Sequence, residues 1–232
     1  MLWHMHGIVD NHFFFDDRSD DETVSIAQEY CVVDVRGALD PGFVFNEGAF
    51  RGLAWTAFEQ TMNPQVGDWV LVIDCDEVLV SNSLQLGVAN PHRASLLDTV
   101  HRSSRVAIDL AIPEVFGYDE SNYPLIRTDA LWATIHAPRL FAYMPGGSYF
   151  HGSYGVPAVP NYAQRGPWDS ADLISLMHYG YADERDQMAK YERYRGNGGH
   201  SNRHVESIIS SAKTLEPWHR PFVREMMRDR DR

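Results

Sequence analysis

Apolar residues recur along this chain at two spacings, and the spacings predict different elements. Residues 8–15 and 30–36 are short runs rich in aromatic and β-branched side chains, which predict strands. A helix is predicted between them over 24–30, led by Ser19, Asp20 and Asp21, residue types whose side chains accept from the first N–H groups of a helix. Over 47–62, Phe50, Leu53, Ala54, Ala57, Phe58 and Thr61 fall at helical spacing. WVLVIDCDEVLV, residues 69–80, predicts a buried strand that ends in crowded acids. Beyond it the pattern predicts a helix over most of 84–103, a strand over 105–116, a short strand over 174–179, a helix over 183–195 and an amphipathic segment over 205–215.

Strands alternating with helices predict an α/β fold with a mostly parallel sheet flanked by helices, which binds ligands beyond the carboxyl ends of its strands. Residues 141–168 are dense in Gly, Pro and aromatics and predict irregular loops lying over such a site. No repeat, heptad run or linker divides the chain, so a single domain is expected over 1–232. It comprises one half at 8–104, a second at 105–200 and a helical tail at 201–232.

A net charge of -12 argues against nucleic acid as the main partner, and phosphate would have to be met locally by a metal or a few placed cations. Two cysteines, Cys31 and Cys75, are too few for a disulfide framework and suggest a reducing, cytoplasmic setting. No apolar run is long enough for a membrane span, and peripheral membrane contact stays open.

On an extended strand, residues two apart face one way at about 6.5 to 7 Å, so Asp74 and Asp76 are expected to address one ligand. Their hard oxygens suit Mg²⁺ or Mn²⁺, completed by water and substrate phosphate. A solvated strand end is the plain alternative. VLVIDCDEVLV also resembles the first motif of haloacid-dehalogenase-like phosphatases, in which Asp74 would be the nucleophile. Glu77 stands where that family commonly has Gly, and no downstream GDxxxD or Asp-Asp pair follows.

HFFFDDRSDDETVSIAQEY resembles the nucleotide-binding turn of GT-A fold glycosyltransferases, the family-2-like group, with Asp16, Asp17, Ser19, Asp20 and Thr23 matching in order. Arg51 opens the next helix and the DxD stretch follows, as in that group. The resemblance implies a Rossmann-like GT-A domain that moves a sugar from a nucleotide-diphosphate sugar, a UDP-sugar being expected, to a hydroxyl on a glycan, lipid or protein. It implies nucleotide contacts from Asp16, Asp17, Asp20, Arg51 and Asp74, and a metal held by Asp74, Asp76 and His178. Arg185, Lys190 and Arg193 would lie near the diphosphate. Inversion would require a carboxylate to take the acceptor proton. Asp129, just before a sugar-stacking candidate Trp132, is the first choice, with Glu114 and Asp119 behind it.

Each motif also has a plainer reading: an acidic turn or calcium loop for DDRSDDET, a surface residue for Arg51, a structural histidine for His178 and a capping role for Asp129. His200 and His204 read as surface residues. MLWHMHG resembles only the end of the helix that, in GT-A domains, precedes the strand matching 8–15, so either the chain begins late or the first strand is absent, which keeps a nucleotide-binding protein without turnover as a further alternative.

Overall fold

The computed structural model describes residues 2–16, 19–35, 46–82, 89–129, 132, 134–150, 156–197, 202–211 and 213–218. Its first half contains α1 (Leu2–Met5), β1 (Phe13–Asp16), α2 (Thr23–Gln28), β2 (Val32–Val35), α3 (Glu47–Met62), β3 (Trp69–Leu71), β4 (Glu77–Ser81) and α4 (Pro91–Arg102). There follow β5 (Ala107–Ile112), β6 (Val115–Tyr118), β7 (Pro124–Arg127), β8 (Ile135–Ala142), α5 (Asn161–Gln164), β9 (Asp169–His178), α6 (Glu184–Asn197), α7 (Asn202–Ile209) and β10 (Leu215–Pro217).

The architecture is mixed α/β. The central sheet has the order β3-β8-β5-β9-β4. β5 and β9 pair parallel, whereas β3–β8, β5–β8 and β4–β9 are antiparallel. The other described parallel pair is β1–β2, and β10-β7-β6 is an antiparallel sheet of its own. The expected mostly parallel sheet is therefore confined to β1–β2 and β5–β9. No described helix lies between β5 and β8 in the chain, and strands that follow without a crossover helix return antiparallel.

Side-chain caps set the starts of α3, α4 and α6, the last through Asp183 Oδ1, which accepts from Asp186 N at 2.8 Å. Asn46 Oδ1 accepts from Ala49 N at 2.9 Å and Asn90 Oδ1 from Arg93 N at 3.0 Å, each satisfying an orphan donor of the first turn. Both faces of the central sheet are covered, because successive strand residues point to opposite sides. Leu140 joins Leu79, Leu96, Ile108, Leu110 and Leu176 on the α4 side. Phe141 joins Trp55, Tyr143, Val159 and Ala163 on the α3 side. The aromatic 141–168 region thus builds core against α3, with Trp55 tilted against Tyr143 and Tyr149 crossing its ring edge-on.

Two expected strands divide. The 69–80 stretch breaks into β3 and β4 around a turn in which Asp74 O accepts from Glu77 N at 3.0 Å. The 105–116 stretch breaks at Pro113, which has no N–H to give a ladder and whose carbonyl instead accepts from His178 N at 3.0 Å. The expected helical tail contains α7 and then β10, which pairs with β7; no helix among the described residues is long and apolar enough to cross a membrane.

Candidate functional site

β3 and β5 both run opposite to β8, and β9 runs with β5, so three strands of the central sheet end on one side. The 72–76 segment crosses that side from β3 at one edge of the sheet to β4 at the other. The turn corrects the strand geometry expected for the acids. Asp74 and Asp76 are not successive same-face residues of one strand, and they engage different partners.

Asp76 turns toward β9 and α6. Its Oδ2 lies 3.0 Å from His178 Nε2 and 3.2 Å from Lys190 Nζ. Local backbone pairing fixes this meeting: Glu77 is in register with His178 across β4–β9, and Tyr179 N donates to Asp76 O at 2.7 Å. On the other side of the imidazole, His178 Nδ1 donates to Glu114 Oε2, from the buried residue that bridges β5 and β6. Burial opposes a charge on His178, yet its bonds to Asp76 and Glu114 and their charges outweigh this and push its pKa up to about 10. Burial likewise works against ionised Asp76, but His178 and Lys190 hold that carboxyl well below the usual carboxylate range. Lys190 Nζ also sits over the Tyr181 ring, 4.4 Å from its centroid.

Gly180 gives this group its room. A β-carbon at that position would lie 1.9 Å from Lys190 Nζ, 2.5 Å from Asp76 Oδ2 and 2.6 Å from His178 Nε2. Among the described residues no three His, Cys, Asp or Glu side chains converge as metal ligands. Asp76 and His178 do converge as a pair, and hard cations are often held by one or two protein groups and completed by water and phosphate. The His178–Glu114 bond is the kind of outer contact that orients a ligating imidazole. Asp76 and His178 offer atoms of the type that ligate a divalent cation, and the space between them is taken by Lys190 Nζ, 3.2 and 3.3 Å away.

Asp74 turns toward arginines. Arg139 Nη2 lies 3.4 Å from Asp74 Oδ2 and 2.6 Å from Glu77 Oε1, and Arg51 Nη2 lies 3.7 Å from Asp74 Oδ1. Arg51 is held in turn by Glu47 at 2.8 Å, and Glu47 also accepts from Val156 N. Burial raises the pKa of Glu77 to about 7 against the pull of Arg139. Asp16, at the end of β1, accepts from Ser19 N at 2.9 Å and Ser19 Oγ at 2.6 Å. The thiol of Cys75 is pushed up by desolvation and by the charges of Asp74, Asp76 and Asp16.

The structure therefore brings together Asp76, His178, Lys190 and Glu114, and sets Arg51 beside Asp74, while Asp16 holds Ser19 at the end of β1. Asp17 lies outside the described residues, and Asp20 is exposed. Arg185 is 87% exposed and meets Asp183 and Asp186 rather than the acid turn. Asp129 pairs with buried Arg127, whose guanidinium stacks on Phe116 and Trp132. Trp132, the sugar-stacking candidate, is itself core with its Nε1 donating to Ser207 Oγ, and His204, expected at the surface, stacks on its ring. Asp119 caps a tight turn by accepting from Ser121 N and Tyr123 N. Sequence reasoning missed Arg139 and Gly180. A charged residue directly before the apolar LFA of 140–142, and a glycine two positions after His178, are the signals that could have found them.

Compared with protein-family models, curated proteins and solved structures, the chain finds no match in any of the three.

Proposed function

We propose that this protein is a metal-dependent glycosyltransferase that moves a sugar from a nucleotide-diphosphate sugar, a UDP-sugar as first choice, to an acceptor hydroxyl. The observation that carries the reading is the approach of Asp76 Oδ2 to His178 Nε2 at 3.0 Å, beyond the carboxyl ends of β3, β5 and β9, with cationic side chains beside it. Asp76 and His178 would hold Mn²⁺ or Mg²⁺, which when bound supplies positive charge for the departing diphosphate. Glu114 keeps the imidazole turned so that Nε2 faces Asp76, a positioning role in place of the base role expected from the sequence. Arg51, half-covered and held by Glu47, presents its guanidinium beside Asp74, where a ribose or phosphate can be met. Asp129 stays the candidate for taking the acceptor proton, with the Arg127 pair fixing its carboxylate. The order of DDRSDDET, Arg51 and DxD in the chain supports the same reading.

The test is a panel of nucleotide sugars with and without Mn²⁺, following nucleoside diphosphate release. Slow hydrolysis of one donor, dependent on Mn²⁺ and lost in Asp76→Asn, is expected. Hydrolysis of simple phosphomonoesters with trapping of an aspartyl-fluoroberyllate at Asp74 would replace the reading with a phosphatase, and donor binding without turnover would reduce it to a binding protein.

A further inference from the structure

The place where a cation would meet Asp76 and His178 is already approached by a positive group of the protein's own. Lys190 Nζ lies 3.2 Å from Asp76 Oδ2 and 3.3 Å from His178 Nε2, and the Tyr181 ring backs it at 4.4 Å. Lys190 reaches this point from α6, and its side chain is 14% exposed, so the ammonium is committed to the site rather than sampling solvent. The position that a Gly180 β-carbon would take, at 2.5 and 2.6 Å from the two ligand atoms, is 1.9 Å from the same nitrogen. A metal ion at ligand distance from both Asp76 and His178 on that side would stand inside the contact radius of the ammonium, where like charges also repel. The absence of a third ligating side chain among the described residues has the same origin, since the third group in the cluster donates and cannot ligate.

We infer that Lys190 is the resident cation of the Asp76–His178 pair, that its ammonium and a divalent ion occupy this space alternately, the ion also releasing the Nε2 proton of His178 to solvent, and that a nucleoside diphosphate favours the ion by drawing Lys190 onto its phosphates. This rests on the metal-site reading of the proposed function and deepens it: the ion is recruited together with the donor and bound weakly before it. An ammonium on a four-carbon stem suits the role, because it can leave a carboxylate for a phosphate by rotating single bonds while its helix stays fixed. Linkage then requires that the diphosphate strengthen the ion's binding as much as the ion strengthens the diphosphate's.

The experiment is a titration with Mn²⁺ alone, followed by electron paramagnetic resonance of the free ion, on the full chain and on Lys190→Met, Lys190→Arg and Asp76→Asn, each checked for folding by its thermal transition. Lys190→Met is expected to bind Mn²⁺ about tenfold or more tightly than the unaltered protein, a coupling of ordinary size. Lys190→Arg should stay as weak as the unaltered protein, because it keeps the charge, and Lys190→Met/Asp76→Asn should lose the gain. Should Lys190→Met fail to fold, Lys190→Gln removes the same charge and replaces it. Added UDP should raise the affinity of the unaltered protein for Mn²⁺ by a larger factor than that of the Met variant. Equal or weaker Mn²⁺ binding in Lys190→Met, with Asp76→Asn still abolishing it, would overturn the alternation and leave the metal site standing. No binding that depends on Asp76 in any variant would overturn both.

Discussion

Gly180 is the residue on which the most chemistry depends while contributing none. Three polar groups converge on the place of its missing β-carbon, the closest at 1.9 Å, and residue 180 is buried. Gly180→Ala is therefore expected to push Lys190 Nζ, Asp76 Oδ2 and the His178 ring apart and to lower Mn²⁺ affinity by roughly tenfold to a hundredfold, the range seen when groups beside a ligand are disturbed. Calorimetric titration with Mn²⁺ in the presence of UDP checks it, and an unchanged affinity would mean that the ion does not use this cradle.

Among elements, a buried ion pair ties the acid turn to β8. Glu77 opens β4 and Arg139 lies in β8, strands that are not neighbours in the sheet, and the 2.6 Å contact between them also brings Arg139 to Asp74. The Glu77 side chain is 2% exposed, so removing Arg139 leaves a buried carboxylate with its ion-pair partner gone and the Asp74 N–H as its remaining described donor. Arg139→Met is expected to cost about 3 to 5 kcal/mol in urea unfolding, and Arg139→Met/Glu77→Leu should recover most of it, because replacing both members of a buried pair by apolar groups is often neutral. A small loss in the single variant would show that water, rather than Arg139, satisfies Glu77.

For the whole molecule, the fold carries a pH dependence away from the acid turn. His92 Nδ1 accepts from Ser81 N at 3.0 Å and so must be unprotonated, and burial together with His4 lowers its pKa to about 4. His4 Nε2 donates to Leu79 O at 2.6 Å, its ring edge-on to His92 at 4.9 Å, and burial lowers its pKa too. In the unfolded chain both titrate near 6.5. As pH falls below that value the unfolded state takes up protons that the folded state resists, so this contribution is intact above about pH 6.5 and is lost on descending toward pH 4. Urea midpoints measured from pH 6.5 to 4.5 should fall less steeply for His92→Gln than for the unaltered protein. Equal slopes would remove His92 as a cause.

Local periodicity and capping were enough to place α3 at 47–62, the β1–α2–β2 order, α4 after Asn90 and α6 after the His178 strand, since each depends on contacts within a few residues. The residue types of Asp74, Asp76, Glu114, His178 and Lys190 already spoke for a charged site. The turn that splits 69–80 did not show, because no Gly or Pro marks it and apolar residues flank it on both sides. Nor did the division of labour that follows: Asp74 with arginines from α3 and β8, Asp76 with His178, 102 positions away, and with Lys190. Those meetings, the room left by Gly180 and the burial of Trp132 are set by strand order and packing among distant segments, and a pattern of near neighbours carries no term for partners so far along the chain.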